Sequence, residues 1–367
     1  MSPLHLLHVV GARPNFMKVA PVWAALAPQP GIRQTLVHTG QHYDANMSDI
    51  FFAQLGLPEP DANLGVGSGS HAAQTAQIMT GFEALALANR PDLVLVYGDV
   101  NSTVAAALVC AKLLIPVAHV EAGLRSFDRT MPEEINRLLT DQIADLLFTP
   151  SGDGDANLHR EGIAPHKIHC VGNVMIDTLA RLLPLAAERW VDPALQPWRD
   201  RRFVLVTLHR PSNVDDPAML AEIMAALGDI SRTFPVLFPV HPRTRRRLQE
   251  IGWAPDSPDL HLADPLSYLD FLALQQAATA VVTDSGGVQE ESTFLGIPCL
   301  TVRANTERPI TVEMGTNILV GQDMARLRRE IDAIARGQAK SGRIPPLWDG
   351  HAGKRIADII TQTWSQR

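Results

Sequence analysis

Short, continuously apolar runs alternate along the chain with longer segments of helical periodicity. The runs lack the alternation of apolar and polar residues that is typical of a sheet with one face exposed to solvent. They are therefore typical of parallel strands covered on both faces. The predicted strands are Leu4–Val10, Gln34–His38, Leu93–Tyr97, Val117–Val120, Leu146–Thr149, Lys167–Val171, Phe203–Leu208, Val236–Val240, Leu260–Leu262, Ala280–Thr283, Cys299–Val302 and Asn317–Val320. Because helical patterns separate them, the fold class predicted is α/β, with two doubly wound, Rossmann-like domains.

The length of 367 residues suits two domains rather than one core. We predict a first domain over residues 1–172 and a second over residues 173–350. A helical pattern from Val174 to Arg189 runs into a stretch that contains Pro and Trp, residues 190–202, and this indicates a hinge. Residues 351–367 are predicted to form a C-terminal helix that packs back on the first domain.

The net charge and the cysteine content exclude several classes of protein. The net charge of −7 gives no overall attraction for nucleic acid or for an anionic membrane. Three cysteines far apart in the sequence support neither a disulfide framework nor a zinc site, and they fit a reducing cytoplasm. The longest apolar region, residues 103–120, contains Lys112 and Pro116, so we expect no membrane span. No metal or cofactor ligand cluster is visible.

Acidic residues follow two neighbouring predicted strands of the first domain. Asp99 comes after the strand that ends at Tyr97, and Glu121 comes directly after Val120. Ligands of open α/β sheets bind at the carboxyl ends of strands, so both are candidate functional groups. Two structural alternatives stay open: Asp99 as the cap of the next helix, and Glu121 in a salt bridge with Arg125.

A third acidic group begins the next helix, where Glu133 and Glu134 follow Pro132. Adjacent helical residues point about 100° apart, so at most one of the pair is expected to face the other carboxylates. Three acids in one crevice allow one to act as a base and another as an acid.

Other polar residues lie at the remaining strand ends of this domain. Arg13 and Lys18, after the first strand, are candidates for a diphosphate or carboxylate, with two solvated cations as the alternative. Gln41 and His42, after the second strand, are candidates for a sugar or regulatory contact, with a structural role as the alternative.

The second domain carries a candidate anion site in the run Asp284–Glu291. Gly286 and Gly287 let backbone N–H groups approach a phosphate at a helix N-terminus, Ser285 adds a hydroxyl, and Glu291 can accept hydrogen bonds from a ribose diol. At other strand ends, Arg308 and His209 are further candidates for the phosphate, and His241 is a further candidate for a sugar or regulatory contact.

Nine motifs, in this order along nearly the whole chain, resemble the non-hydrolysing UDP-N-acetylglucosamine 2-epimerase family: GARPNFMK, TGQHYD, YGDVNST, HVEAGLRS, MPEEINR, VGNVMID, LHR, DSGGVQEE and TERP. The resemblance implies a GT-B-like architecture with the active site in the cleft between the domains. It also implies an isomerase that interconverts UDP-N-acetylglucosamine and UDP-N-acetylmannosamine, without a cofactor. The implied reaction eliminates UDP to give a 2-acetamidoglucal and adds UDP back with the opposite configuration at C2.

The family match also implies roles for residues. The catalytic residues would be Asp99, Glu121 and Glu133, with His209 assisting at the diphosphate. The substrate-binding set would be Arg13, Lys18, Arg125, Phe271 in a uracil pocket, Ser285, Gly286, Gly287, Glu291 and Arg308. This sequence has Asn15 where many members have Glu. The sequence leaves open which carboxylate removes the C2 proton. It also leaves open whether the substrate activates the enzyme allosterically.

The resemblance further implies a cytoplasmic homodimer that serves polysaccharide biosynthesis, with a UDP-sugar as its small-molecule partner. Within the class, a 2-epimerase for UDP-2,3-diacetamido-2,3-dideoxy-glucuronate and a hydrolysing epimerase are the alternatives. From other classes, a GT-B glycosyltransferase shares the nucleotide site but needs no proton abstraction at C2, and a non-catalytic binder would show no turnover.

Overall fold

Two separate parallel β-sheets organise the protein, whose computed structural model describes residues 3–41, 52 and 54–365. The chain divides into two units. Unit 1 comprises Met1–Thr178 together with Pro346–Arg367, and unit 2 comprises Leu179–Pro345. The domain boundary expected from the sequence, between residues 172 and 173, remains a prediction.

Within the described residues, the sheet of unit 1 has the strand order β3-β2-β1-β4-β5-β6-β7, all parallel. Its strands are β1 (Leu4–Val10), β2 (Ile32–His38), β3 (Ala62–Asn63), β4 (Leu93–Tyr97), β5 (Val117–Val120), β6 (Leu146–Thr149) and β7 (Ile168–Cys170). The helices of this half are α1 (Arg13–Leu26), α2 (His71–Ala88), α3 (Asn101–Leu113), α4 (Pro132–Ile143) and α5 (Gly152–Arg160), and α6 (Val174–Glu188) begins in unit 1 and ends in unit 2. A short 3-10 turn spans Pro165–Lys167.

The sheet of unit 2 has the order β10-β9-β8-β11-β12-β13 in the described chain, again all parallel. Its strands are β8 (Val204–Thr207), β9 (Val236–Pro239), β10 (Leu260–Ala263), β11 (Ala280–Thr283), β12 (Cys299–Thr301) and β13 (Asn317–Leu319). The helices are α7 (Pro211–Val214), α8 (Pro217–Ser231), α9 (Pro242–Glu250), α10 (Tyr268–Ala277), α11 (Gly286–Leu295), α12 (Pro309–Glu313) and α13 (Met324–Ala335). Residues 190–202, where a hinge is predicted, include part of one 3-10 turn, Arg189–Val191, and all of another, Gln196–Trp198.

Both faces of the sheet in unit 2 are buried, which explains the continuous apolar runs. Val204 and Val206 of β8 contribute to one hydrophobic core, whereas Phe203 and Leu205 contribute to another. Successive side chains of a strand point to opposite faces, so both faces of a fully covered strand must be apolar. The predicted fold class, with two Rossmann-like units, is confirmed.

The last helix, α14 (Ala352–Ser365), belongs to unit 1 and lies against α1. A Cβ atom added at Gly353 would come within 2.6 Å of the carbonyl oxygen of Pro21, so the helices meet backbone to backbone. The carboxylate of Asp177 accepts hydrogen bonds from the backbone N–H groups of Ala352 and Gly353, at 3.1 and 2.7 Å. An acid from α6 therefore caps the N-terminus of α14.

The strand missing from the sequence-based prediction is β3. It has only two residues and pairs with Val37 and His38 of β2. A run of two residues, Ala and Asn, carries no periodic signal, so only its pairing defines it as a strand.

Candidate active site

Glu121 lies in the turn directly after β5 and has a left-handed backbone, with φ 73°. Its Oε2 is 2.7 Å from Nζ of Lys18, and both side chains are buried. A non-glycine residue in this region is strained, and such strain is concentrated at functional sites. The alternative that paired Glu121 with Arg125 is wrong, because Lys18 from α1 occupies that position.

Gly98, at the end of β4, makes room for this ion pair. Its φ is 63°, and a Cβ atom added there would lie 2.6 Å from Nζ of Lys18. Glycine is therefore required both by the backbone conformation and by the approach of the lysine. Lys18 was predicted to reach a phosphate or carboxylate, and in the structure it is buried against the carboxylate of Glu121.

Asp99 follows Gly98, and its carboxylate forms a short ion pair with Nη1 of Arg137 from α4. The residue at the N-cap of α3 is Val100, which makes no side-chain capping hydrogen bond. The capping alternative for Asp99 is therefore wrong. Asn136 donates to the backbone oxygen of Asp99 at 2.8 Å, so α4 holds both the backbone and the side chain of this residue.

The two acids at the start of α4 have different environments. Glu134 is buried and accepts hydrogen bonds from the backbone N–H groups of Ser126 and Phe127, each at 2.9 Å, and from Arg137 at 2.8 Å. Burial alone would raise the pKa of Glu134, but these donors outweigh it and the pKa is lowered. Glu133 is partly exposed, and its side chain makes no hydrogen bond or ion pair with any described residue. Of the two, Glu133 is the carboxyl group left available.

Arg125 is a correction to the predicted binding set. It is 2% exposed, its guanidinium contacts Glu161 through Nε and Nη2 at 2.8 and 2.7 Å, and Nη2 is also 2.7 Å from Asp141. A buried guanidinium held by two carboxylates has no free donor edge for a substrate. Arg125 therefore supports the turn after β5 from within unit 1.

Arg13 is the first residue of α1 and is exposed, unlike Lys18 one turn further along. Between them, Asn15 is buried: its Oδ1 accepts from the N–H groups of Gly11 and Ala12, and its Nδ2 donates to the oxygen of Tyr97 at 2.8 Å. Asn15 thus ties the end of β1 to the end of β4. Sequence reasoning assigned no function to Asn15 or Arg137. The i, i+3 spacing of Glu134 and Arg137 is the signal that could have pointed to Arg137.

The candidates for a sugar or regulatory contact lie in three different settings. Gln41 is buried, and its Oε1 accepts from the backbone N–H and the hydroxyl of Ser102 at 3.3 and 2.8 Å. His42 lies outside the described residues. His241 is exposed and caps α9 by accepting from the N–H of Arg243 at 3.2 Å. Gln41 and His241 therefore have structural partners.

In unit 2, Asp284 joins the ends of β8 and β11. It is fully buried and accepts from the N–H groups of His209 and Arg210, at 3.0 and 2.9 Å, and from Nδ2 of Asn213 at 3.0 Å. Nδ1 of His209 is also 3.0 Å from Oδ1 of Asp284. Burial would raise the pKa of Asp284, but the contacts with His209, Arg210 and Asn213 lower it. His209 itself is half exposed, so its other ring nitrogen can meet a ligand.

The helix α11 begins directly after Ser285, which makes no side-chain capping hydrogen bond. Gly286 and Gly287 form its first turn, so their N–H groups point out of the helix end. A Cβ atom added at Gly286 would lie 2.5 Å from Nη1 of Arg308. The glycine therefore lets a guanidinium approach the helix N-terminus, where Nε of Arg308 pairs with Glu290 at 2.9 Å.

Glu291 is buried further along α11 and accepts a hydrogen bond from the hydroxyl of Tyr268 at 2.8 Å. Burial raises the pKa of Glu291 to about 7, against the opposing effect of Tyr268. Phe271 lies on α10, one turn after Tyr268, and is partly buried. Unit 2 thus groups an aromatic side chain, a protonatable acid and the glycine-rich helix end on neighbouring helices.

Two negative findings complete the description of the site. No three His, Cys, Asp or Glu side chains in the described chain are arranged to bind a metal ion. Among the same residues, no helix combines the length and the apolar character that a membrane span needs.

The fold and the two residue sets define an α/β protein with two Rossmann-like units. Unit 1 carries carboxylates at the ends of parallel strands, and unit 2 carries a helix N-terminus suited to a phosphate. Residues 24–361 match the UDP-N-acetylglucosamine 2-epimerase family. The chain belongs to this family and is therefore an isomerase.

Individual relatives cover almost the whole chain. The UDP-N-acetylglucosamine 2-epimerase of Methanococcus maripaludis is 40% identical, over 96% of this chain and 97% of its own length. The UDP-2,3-diacetamido-2,3-dideoxy-D-glucuronate 2-epimerase of Pseudomonas aeruginosa is 45% identical, over 98% of this chain and 100% of its own. The crystal structure of the Methanocaldococcus jannaschii UDP-GlcNAc 2-epimerase in complex with UDP-GlcNAc and UDP is similar, with a TM-score of 0.89, 41% identity and coverage of 98% and 100%.

Proposed function

We propose that this protein interconverts UDP-N-acetylglucosamine and UDP-N-acetylmannosamine by inverting C2. The observation that carries the proposal is the difference among three acids of unit 1. Asp99 and Glu121 are each held by a buried cation, whereas Glu133 has no such partner in the described chain. Such a set suits a proton transfer in which one carboxylate takes a proton and another group returns it.

The proposed reaction has two steps, the elimination of UDP and its re-addition. A carboxylate of unit 1 removes the C2 proton, and the electrons of that bond form a double bond between C1 and C2. The bond from C1 to the diphosphate oxygen breaks, and UDP leaves with the negative charge. UDP then adds back to the 2-acetamidoglucal while a proton returns to the opposite face of C2.

Unit 2 contributes groups that would stabilise the leaving diphosphate. The N–H groups of Gly286 and Gly287, the guanidinium of Arg308 and the half-exposed ring of His209 are all donors. Because the same donors meet the diphosphate in the bound substrate and in free UDP, they contribute mainly to affinity, and they lower the barrier only by what they gain as the negative charge develops. Glu291 and Phe271 are assigned to the ribose and the uracil of the same nucleotide.

Incubation with UDP-N-acetylglucosamine in deuterium oxide tests this proposal. We expect deuterium at C2 of both epimers, because the removed proton exchanges with solvent before it returns. Asp99→Asn serves as the control, since it keeps the size of the side chain and removes the carboxylate. Folded wild-type protein that epimerises without exchange, or that shows neither, contradicts the proposal. Accumulation of free UDP and free N-acetylmannosamine over many turnovers would indicate a hydrolysing enzyme instead.

A second substrate is favoured by one observation. The Pseudomonas aeruginosa relative, which is named for a diacetamido glucuronate, is 45% identical to this chain, against 40% for the Methanococcus maripaludis relative. The C2 chemistry is the same for both sugars, but in the uronate C6 is a carboxylate instead of a hydroxymethyl group, and C3 bears an acetamido group instead of a hydroxyl. Measuring kcat/KM for both UDP-sugars decides between them, because the ratio compares transition-state binding directly.

We infer three further properties from the family resemblance: a homodimer, a cytoplasmic location and a role in supplying activated sugar for polysaccharide. The three separated cysteines, two of them buried, suit a reducing compartment. Analytical ultracentrifugation of the purified chain tests the homodimer, and a monomer at micromolar concentration contradicts it.

A further inference from the structure

A buried histidine that the proposed reaction does not use lies beneath the carboxylates of unit 1. His119 is the third residue of β5, two residues before Glu121, and its side chain is 0% exposed. A neutral imidazole satisfies one acceptor and one donor, whereas an imidazolium needs two acceptors. The partners of the two ring nitrogens therefore determine the charge of the ring.

Both ring nitrogens of His119 face acceptors. Nε2 is 2.8 Å from the backbone oxygen of Gly98, and Nδ1 is 2.6 Å from Oδ1 of Asp141. A carbonyl oxygen cannot donate, so Nε2 must carry a proton. Nδ1 then either donates to an ionised Asp141 or accepts from a protonated one.

The other contacts of Asp141 decide in favour of the ionised carboxylate. Its Oδ2 accepts from the backbone N–H of Gly123 at 3.1 Å and lies 2.7 Å from Nη2 of Arg125. An ionised Asp141 leaves Nδ1 of His119 as the donor.

The charge count of the cluster supports the same conclusion. The charged groups that face one another are His119 from β5, Asp141 from α4, Arg125 from the turn after β5 and Glu161 at the end of α5. With a protonated His119, two positive and two negative charges balance. With a neutral His119, the fully buried Asp141 would share the single charge of Arg125 with Glu161, whose side chain is 22% exposed, so the charge of Asp141 would be compensated less completely.

We propose that His119 is an imidazolium that positions the two strand ends carrying Asp99 and Glu121. Its Nε2–H holds the carbonyl of Gly98, the residue directly before Asp99. Its Nδ1–H holds Asp141, which in turn holds the N–H of Gly123, two residues after Glu121. His119 is a positioning residue, because its contacts are with the protein and not with the reacting atoms. Its effect on turnover rests on the proposed epimerase function, whereas its charge does not.

The first test is the protonation of the ring in nitrogen-15-labelled protein without substrate. At about pH 8 we expect a proton on each ring nitrogen of His119, because each nitrogen faces an acceptor. The His119→Gln variant assigns the signal. A ring with one protonated nitrogen at that pH overturns the proposal, whatever reaction the protein catalyses.

His8 provides a matched control within the same sheet. It is also 0% exposed, it lies on β1 beside β4, and its Nδ1 contacts the hydroxyl of Tyr97 at 2.7 Å. Burial lowers the pKa of His8 to about 3, so its ring should be neutral in the same spectrum. His8→Gln should lower the melting temperature and leave kcat within about twofold, since His8 holds no catalytic turn.

The second test is kinetic and uses His119→Gln with UDP-N-acetylglucosamine. We expect kcat to fall about 100-fold, as a small misplacement of catalytic groups can do, and KM to change by less than about threefold. Affinity for UDP, which depends on unit 2, should be unchanged, and the melting temperature reports whether the variant is folded. A kcat within about twofold of wild type overturns the positioning role.

Asp141→Asn keeps the proposal testable where His119→Gln fails to fold. Without the anionic partner, the ring of His119 should be neutral at about pH 8, and kcat should fall as well. A ring that stays charged, or an unchanged kcat, overturns the proposal. Wild-type protein that lacks epimerase activity contradicts the proposed function alone, because the spectrum still reports the charge of His119.

Discussion

The two units handle charge in opposite ways. In unit 1 the candidate reacting groups are acids, and buried cations hold them, as Lys18 holds Glu121 and Arg137 holds Asp99. In unit 2 the candidate binding groups are cations and N–H donors, and buried acids hold them, as Glu290 holds Arg308 and Asp284 holds His209. A buried partner of opposite charge keeps each ionised group in place and offsets its desolvation. The comparison predicts that substitutions in unit 1 change turnover, whereas those in unit 2 change affinity or stability.

The largest expected effect is the loss of turnover in Asp99→Asn and Glu121→Gln. Each should lower kcat by a factor of about 1,000 or more, because a neutral amide cannot take part in proton transfer. Affinity for UDP should stay within about threefold of wild type. Steady-state kinetics and calorimetric titration with UDP measure the two quantities. A loss of UDP affinity as large as the loss of kcat would contradict the assignment of turnover to unit 1 and of affinity to unit 2.

The next effect is on the stability of unit 2. Asp284→Asn should lower the free energy of unfolding by about 3–5 kcal/mol, because several buried donors lose an ionised acceptor. Asp264, whose carboxylate is 92% exposed and pairs with Arg245, is the matched control in the same unit. Asp264→Asn should cost less than about 1 kcal/mol. Hydrogen exchange of β8 and β11 would report this, and equal protection in both variants would contradict it.

Glu291 should make the stability of unit 2 depend on pH. Burial raises its pKa from the ordinary value of 4.5 to about 7. The folded state therefore holds this proton more tightly than the unfolded chain, so its contribution is complete below about pH 4.5 and is lost as the pH rises through about 7. Glu291→Gln should gain about 3 kcal/mol relative to wild type between those limits. Urea unfolding near pH 5 and pH 8 tests this, with the exposed Glu313→Gln as a control that should show no such gain.

The smallest effect should come from Gly286→Ala. The added methyl group would lie 2.5 Å from Nη1 of Arg308 and would displace the guanidinium. We expect UDP affinity to fall about tenfold, which corresponds to about 1.4 kcal/mol, with kcat at saturation largely kept. Gly152→Ala, at the start of α5 with nothing within 4 Å of the added atom, is the control and should leave affinity unchanged. A tenfold loss of kcat with unchanged affinity would contradict the division of roles between the units.

The local pattern of apolar and polar residues predicted the strands of both sheets well. It predicted the ion-pair partners of the charged residues poorly. A parallel strand covered on both faces must be apolar at every position, so β4 and β11 were readable from the sequence. The two-residue β3 was not, because pairing alone makes it a strand. The partner of Glu121 is Lys18, more than a hundred positions earlier in the chain, whereas the candidate chosen from the sequence, Arg125, was simply near.

The α/β class, the alternation of strands and helices, and the positions of acids and glycines at strand ends could all be inferred from local sequence, because they depend on residues close together in the chain. The tertiary structure decided which cation meets which carboxylate. It left Glu133 available and enclosed Glu134, and it buried Arg125 between Asp141 and Glu161. The physical reason is that the energy of an ion pair depends on distance and burial in space, and neither is encoded in sequence separation.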